Sequence, residues 1–267
     1  MVSFSTKLPR LIIGLDVETS DWDEHCSFHI MDEHLGRGIP CQSDHTDDAG
    51  YICGLGYCVF ERVSDKCDMY VAHEPVSSII KLPKGQTVSP QAFKVHGIST
   101  DHCQKGDDFS IVLQTICTLL KEGAELCCHN VAHETLVFCR EFQKRRRLSL
   151  LTLTEQEVSL LVRSLYRAHC SLILGKEHNR GYYRKLSDEF RSCFPSEIRL
   201  QSIHDPGEDA YKCGRLLLHY NKACFVRTTE CGYETCSNKK ATCNAALGTV
   251  SDVCERPSKR ARGKVCV

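Results

Sequence analysis

The residues best placed to do chemistry begin with Asp16 and Glu18, near the end of the run Leu11-Ile12-Ile13-Gly14-Leu15-Asp16-Val17-Glu18-Thr19-Ser20. An apolar stretch of this length bounded by polar residues reads as a buried strand. Side chains two apart on a strand point to the same face, which sets the two carboxylates side by side. Like charges held that close repel unless a cation lies between them. A hard divalent ion such as Mg²⁺ meets that need, because it is held by one or two carboxylates and keeps room for substrate phosphates. A strand that merely runs out into a polar loop explains the same two residues. The second constellation is Ser202-Ile203-His204-Asp205-Pro206-Gly207-Glu208-Asp209. Asp205 is placed as an N-cap, Pro206 as the first helical residue and Glu208 as the partner in a capping box. That register puts His204 just before the cap and Asp209 at the fourth helical position, the two positions that meet in a hydrophobic staple. A histidine and a carboxylate then face each other across a helix start, a pairing that also serves structure alone. Glu134, in the first turn of a helix opened by His129-Asn130, is a further carboxylate, and the helix dipole by itself accounts for a negative charge there.

These residues need a frame. Tyr51 to Arg62 reads as a second strand, with Gly54 and Gly56 suggesting close backbone packing, and a third strand lies within Ser77 to Leu82, ended by Pro83. Strands in succession predict an antiparallel start to a sheet, with helices following. Ser89 to Gly97 has a capping serine, Pro90 at the first helical position and glycine at the end, predicting a short helix. Phe109, Val112, Leu113, Ile116, Leu119 and Leu120 recur at helical spacing behind the caps Asp107 and Asp108, giving a core-packing helix. Ala124 to Cys128 reads as another strand leading into the helix of Glu134, which runs toward Lys144. The run Lys144-Arg145-Arg146-Arg147 at its end suits the dipole, either as a solvated face or as a phosphate contact. Val158, Leu161, Val162 and Leu165 mark one more helix, Leu186 to Cys193 a short one, and Ala210, Cys213, Leu217 and Tyr220 the buried face of the last.

A chain of 267 residues with 42% hydrophobic and 25% charged residues has the composition of a globular domain with a full core. No apolar run approaches the roughly 20 residues needed to span a bilayer, and the N-terminus lacks a signal-peptide segment. The expectation is a protein inside the cell, with no membrane partner. Its 19 cysteines follow no regular framework and read as free thiols in a reducing compartment. The formal charge of zero is unevenly distributed, with nine Lys/Arg against four Asp/Glu after residue 220 and an acidic excess before it. An acidic body argues against a broad non-specific nucleic-acid surface, though not against a site that holds phosphates through metal ions. Residues 1–220 are expected to form one domain with a polar 21–50 loop insertion. Residues 221–267 are expected to be a disordered, cysteine-containing tail. The tail's basic stretch, Arg256 to Lys264, reads as a nuclear import signal, a nucleic-acid tether or a plain solvated tail, so both nucleus and cytoplasm stand open. The histidines and cysteines of the insertion and the cysteines of the tail lack paired-ligand spacing for zinc. A zinc-organised interaction protein is therefore the weakest reading.

Taken in order, Asp-x-Glu on a first strand, a His-Asn motif with a carboxylate four residues after the Asn, and His-x4-Asp opening a late helix resemble the DEDDh (DnaQ-like) 3′-to-5′ exonuclease family. The stretches Val88 to Ser99 and Lys121 to Leu126 are similar to family segments at the same places. The member most similar is the proofreading subunit of bacterial DNA polymerase III, and the likeness runs from about Leu8 to Tyr220. His204 stands five residues before Asp209, with no tyrosine four before it, which favours the h branch. The resemblance implies an α/β, ribonuclease H-like mixed sheet flanked by helices. It implies that Asp16, Glu18, Glu134 and Asp209 bind two Mg²⁺ ions, with Mn²⁺ as a substitute. Asp16 would bridge the pair, and Glu134 would reach the second ion through water. His204 would be the general base, a task suited to imidazole's near-neutral pKa. Thr19, Asn130 and His96 would contact the terminal nucleotide. The implied partner is a nucleic-acid 3′ end, single-stranded DNA ahead of RNA, the product a nucleoside 5′-monophosphate, and any polymerase would act in trans. Two departures stand out: Glu134 replaces the family's usual aspartate, and His133 replaces an aromatic ring. The alternative they leave is a catalytically weak nucleic-acid-binding protein that keeps the fold.

Overall fold

The strand that carries Asp16 and Glu18 is an interior strand of the sheet. In the computed structural model, which describes residues 8–21, 50–64, 68–179, 181–197, 204–229 and 232–234, it spans Leu11–Thr19 (β1). It pairs antiparallel with Ile52–Ser64 (β2) on one side and parallel with Glu125–Cys128 (β5) on the other. With neighbours at both edges and helices on both faces, it must be apolar in both directions, which is why its first half reads as a continuous hydrophobic run. The far edge of β2 is shared. Val76–Ile79 (β4) pairs antiparallel with its first half and Met69–Ala72 (β3) with its second. His169–Cys170 (β6) lies parallel to β5, Cys224–Thr229 (β7) parallel to β3, and Gly232–Glu234 (β8) antiparallel to β7. The mixed sheet runs β6-β5-β1-β2-β3-β7-β8.

Helices cover the two faces. Phe109–Lys121 (α3), Val131–Arg147 (α4) and Glu155–Tyr166 (α5) pack on the face to which Ile13, Leu15 and Val17 point. Phe109, Phe138 and Phe142 meet there with ring centroids 5.9 to 6.3 Å apart. Leu186–Cys193 (α7) and Pro206–Tyr220 (α8) cover the other face, where Ile12 points. Alternation along β1 therefore sends Gly14, Asp16 and Glu18 toward α8. Short helices Pro90–His96 (α1), Thr100–Gln104 (α2) and Ser171–His178 (α6) complete the helices among the described residues. Among the described residues no helix is long and apolar enough to cross a membrane.

Most predicted elements stand where the pattern puts them. α1 has Ser89 as N-cap, Pro90 in its first turn and Gly97 in the left-handed conformation that ends it. Asp108 caps α3, Asn130 caps α4 and Asp205 caps α8, each accepting backbone N–H groups that the helix leaves unpaired. Three differences have physical causes. β3 is four residues long, too short to show an alternation, so only β4 was legible as the third strand. α6 opens on Cys170 with no side-chain cap, so no start signal precedes it. The sheet also does not stop at Tyr220. The β-branched run of β7 adds a parallel strand to β3, which corrects the expected boundary and the reading of residues 224–229 and 232–234 as tail. Residues 22–49 of the insertion and 235–267 of the tail, with their histidines, cysteines and basic run, lie outside the described residues.

The insertion leaves and rejoins the sheet at one point. Ser20 donates its backbone N–H to Tyr51 O at 2.7 Å, and Ser20 Oγ accepts from Tyr51 N at 2.8 Å. Among the described residues the cysteines are free thiols.

Candidate active site

Two glycines decide how α8 meets β1. A Cβ on Gly14 would lie 2.0 Å from Ala210 O, and one on Gly56 would lie 1.9 Å from the carbonyl carbon of Pro206. The helix backbone thus rests directly on the bare backbone of β1 and β2. Gly56 is the cross-strand partner of Asp16, so the first turn of α8 is set down beside that carboxylate. Ser77 of β4 fixes the helix start from the other side: its hydroxyl donates to Asp205 Oδ1 at 2.6 Å and accepts from Gly207 N at 3.1 Å. Asp205 Oδ1 also accepts from Glu208 N at 2.9 Å, the predicted cap.

The C-terminal end of β1 is held by His96. Its Nε2 lies 3.1 Å from Thr19 O, and its Nδ1 accepts from Ile98 N at 3.0 Å, which puts the ring proton on Nε2 as donor. His96 is buried, and burial lowers its pKa, consistent with a neutral ring that clamps the strand end. Thr19 directs its own hydroxyl to Asp21 O at 2.9 Å, and Asn130 spends its Oδ1 on His133 N. The side chains of all three predicted substrate contacts hydrogen-bond to the backbone.

The predicted carboxylates converge. Asp16 responds to the charges of Glu134, Glu18 and Asp209, although they come from β1, α4 and α8. β5 runs parallel beside β1, so the first turn of α4 begins level with Asp16 and delivers Glu134 there. Glu134 is 4% exposed, and its Oε2 is buried with no hydrogen-bond partner. His204 Nδ1 lies 3.5 Å from Asp209 Oδ2, and ligand atoms of Glu18, His204 and Asp209 fall within 4.8 Å of one another. Lys212, one turn on from Asp209, donates to Asp209 Oδ1 at 2.5 Å.

The electrostatics follow from this crowding. Burial, then the charges of Glu134, Glu18 and Asp209, holds the Asp16 carboxyl well above the usual carboxylate range. Burial pushes Glu18 up to about 8, with Asp209 and Asp205 adding to the shift and His204 opposing it. Burial and then Glu18 drive Glu134 well up. Asp209 differs. Burial works against its charge, but the hydrogen bond from His204 and the positive charge of Lys212 hold it below the usual range. The His204 pKa rises, first because of its bond to Asp209. A group of acids that cannot all ionise beside each other, one with an orphaned buried oxygen, is short of positive charge. Hard oxygen donors in this number suit a divalent ion such as Mg²⁺ or Mn²⁺.

No protein-family model matches the sequence, and no curated protein matches it. Solved structures do match. The nuclease domain of 3′hExo, a DEDDh family member, bound to rAMP, superposes with a TM-score of 0.50 at 11% identity, covering 80% of this chain and 92% of that one. The chain shares the fold of that nuclease domain. A 3′-exonuclease seen in 3′-end specific recognition of a histone mRNA stem-loop gives a TM-score of 0.49 at 10% identity, covering 86% of this chain and 91% of that chain. A full-length 3′-exonuclease gives 0.46 at 10% identity, over 89% and 70%. Within this fold β1, α4 and α8 bring Asp16, Glu18, Glu134 and Asp209 within electrostatic reach of one another, and His204 stands beside Asp209. Sequence reasoning missed Gly14, Ser77 and Lys212. A lysine three residues after a candidate ligand on a helix was the available signal for the last.

Proposed function

We propose that this protein is a metal-dependent 3′-to-5′ exonuclease, hydrolysing phosphodiester bonds at nucleic-acid 3′ ends and releasing nucleoside 5′-monophosphates. The observation that carries the proposal is the meeting of Asp16, Glu18, Glu134 and Asp209 beside His204, with the buried Glu134 Oε2 unpartnered. Asp16, Glu18 and Asp209 would hold the ions, and Glu134 would complete their surroundings from α4. Bound divalent ions would supply Lewis-acid activation of water and stabilise the leaving 3′ oxygen. Asp209 faces Nδ1 of His204 and keeps the ring proton there, so Nε2 is the nitrogen that accepts a proton from the attacking water. His204 is exposed, its side chain 58% accessible, as a base that meets an incoming strand end must be. Burial of Glu134 and Asp209 excludes bulk water from the other side of the cluster.

The similar nuclease domain carries rAMP, a ribonucleoside monophosphate, and so RNA is an equal candidate with single-stranded DNA. The test is to incubate the protein with Mg²⁺ or Mn²⁺ and 5′-labelled single-stranded DNA, RNA and 3′-mismatched duplex. Stepwise shortening that vanishes with a chelator and in Asp16→Ala is the expected result. Intact substrate retained on the protein would contradict the proposal and indicate a binding protein that keeps the fold.

A further inference from the structure

Lys212 is the one residue of the cluster that the exonuclease reading leaves without a task. It lies on α8, three residues after Asp209, and is 3% exposed. A lysine is almost never this buried unless its charge is matched. Its Nζ sits 2.5 Å from Asp209 Oδ1 while His204 Nδ1 faces Oδ2, so both oxygens of Asp209 already have a cationic or polar neighbour. The same ammonium opposes the repulsion felt at Asp16. A divalent ion using Asp209 Oδ1 would stand within a few ångströms of Nζ, where two cations repel strongly in a dry interior.

We propose that Lys212 is a built-in counter-cation of the carboxylate cluster. It neutralises Asp209 while the site is empty and competes with a divalent ion for that oxygen, withdrawing along its flexible stem when the ion loads. This deepens the exonuclease reading and rests on it for the identity of the ligands. Lys212 is on this account a positioning residue, acting through Asp209. One side chain then has two effects of opposite sign. It stabilises the metal-free fold by relieving acid repulsion, and it weakens metal binding by occupying a ligand. A merely structural lysine would have the first effect without the second.

The experiment uses the full chain without nucleic acid, titrated with Mn²⁺ by calorimetry, and compares wild type with Lys212→Met, which keeps length and apolar stem but drops the charge. Lys212→Met is expected to bind Mn²⁺ about ten-fold tighter or more, because a repelling charge at this range is gone. Lys212→Arg, which keeps the charge, should stay near the wild-type affinity. In chelator, Lys212→Met should melt below wild type, and saturating Mn²⁺ should close or reverse the gap. Should Lys212→Met fail to fold, Lys212→Gln gives the same two readouts. Equal or weaker Mn²⁺ binding by the uncharged variant overturns the inference. If that happens while wild type still shortens labelled strands, the exonuclease reading survives. If affinity rises in Lys212→Met while no strand is shortened, the counter-cation stands and the exonuclease reading falls. Mn²⁺ binding by neither protein overturns both.

Discussion

Glu134 and Glu141 lie two turns apart on one face of α4, and both are buried, at 4% and 1% exposure. Their surroundings could hardly differ more. Glu141 accepts from Ile52 N at 3.1 Å and from Arg145 Nε at 2.5 Å, and Arg145 also donates to Lys81 O at 3.1 Å. The guanidinium stacks 4.6 Å over Phe109. Burial raises the Glu141 pKa, but Arg145 and the Ile52 N–H resist the rise. Glu134 has burial and the like charge of Glu18 acting together and an oxygen with no partner. The same residue type on the same helix is thus a structural bolt in one place, tying α4 to β2, and an unmatched acid in the other, where the proposed exonuclease reading puts a carboxylate beside the ions. Buried polar groups are usually satisfied, and an unpaired carboxylate oxygen that also faces the like charge of Glu18 is what a missing cation would leave.

Substitution should separate the two. The largest effect is expected at Glu141: Glu141→Gln leaves the buried Arg145 without its charge partner and should cost about 3–5 kcal/mol of stability, measured by denaturant unfolding. Molecules that remain folded should keep their nuclease activity within a few-fold. At Glu134 the pattern should invert. Glu134→Gln should lower turnover by about a hundredfold or more, the scale on which transition-state charge stabilisers act, while metal-free unfolding is unchanged or slightly harder because a source of repulsion is gone. If Glu134→Gln unfolds the protein and Glu141→Gln silences it without loss of stability, the contrast is wrong.

Next in size is the seat of α8. Gly56→Ala and Gly14→Ala drive a methyl into the helix backbone. Each should cost about 1–3 kcal/mol by overpacking, with a larger loss of activity than of stability, since the shift moves Asp209 and His204 away from Asp16. Smaller still is Glu134→Asp, which shortens the side chain by about 1.5 Å. Because α4 already presents the longer acid in a buried position, turnover should change less than about ten-fold. A rise of orders of magnitude would show that the natural residue impairs the site.

The gentlest probe is pH. Glu18 has its pKa raised from 4.5 to about 8 in the fold, so its contribution is fully present below 4.5 and is lost as pH rises to about 8. Melting of the metal-free protein in chelator should therefore fall across that window. Saturating Mn²⁺ should flatten the fall, because the ion takes over the charge. His204 works in the opposite direction on rate. Its pKa is raised above the ordinary imidazole value, first by Asp209, and a base must be unprotonated to act, so activity should climb with pH later than an ordinary imidazole would allow.

How much of this was legible in the residues themselves follows from their reach along the chain. The period-2 pattern of β1 put Asp16 and Glu18 on one face, and the Asp205-Pro206 start of α8 fixed His204 against Asp209, because both depend only on neighbours in sequence. Glu134 joined them through the order of motifs shared with a family, since its distance from Asp16 is set by the pairing of β5 with β1. Gly14 looked like an ordinary strand residue until α8 lay on it. Lys212 stands off the apolar stripe of Ala210, Cys213, Leu217 and Tyr220, and only its spacing of three from Asp209 hinted that it faces inward. β3 and α6 were missed for want of length or cap, and β7 because a parallel partner for β3 announces nothing locally.

The central claim is that one carboxylate cluster holds the divalent ions. Locating Mn²⁺ by its anomalous scattering in crystals of the full chain tests it most directly. Density for manganese in contact with Asp16, and bounded by Glu18, Glu134 and Asp209, is the result predicted, absent in Asp16→Ala. A fully loaded crystal with manganese elsewhere and none at Asp16 would contradict the account.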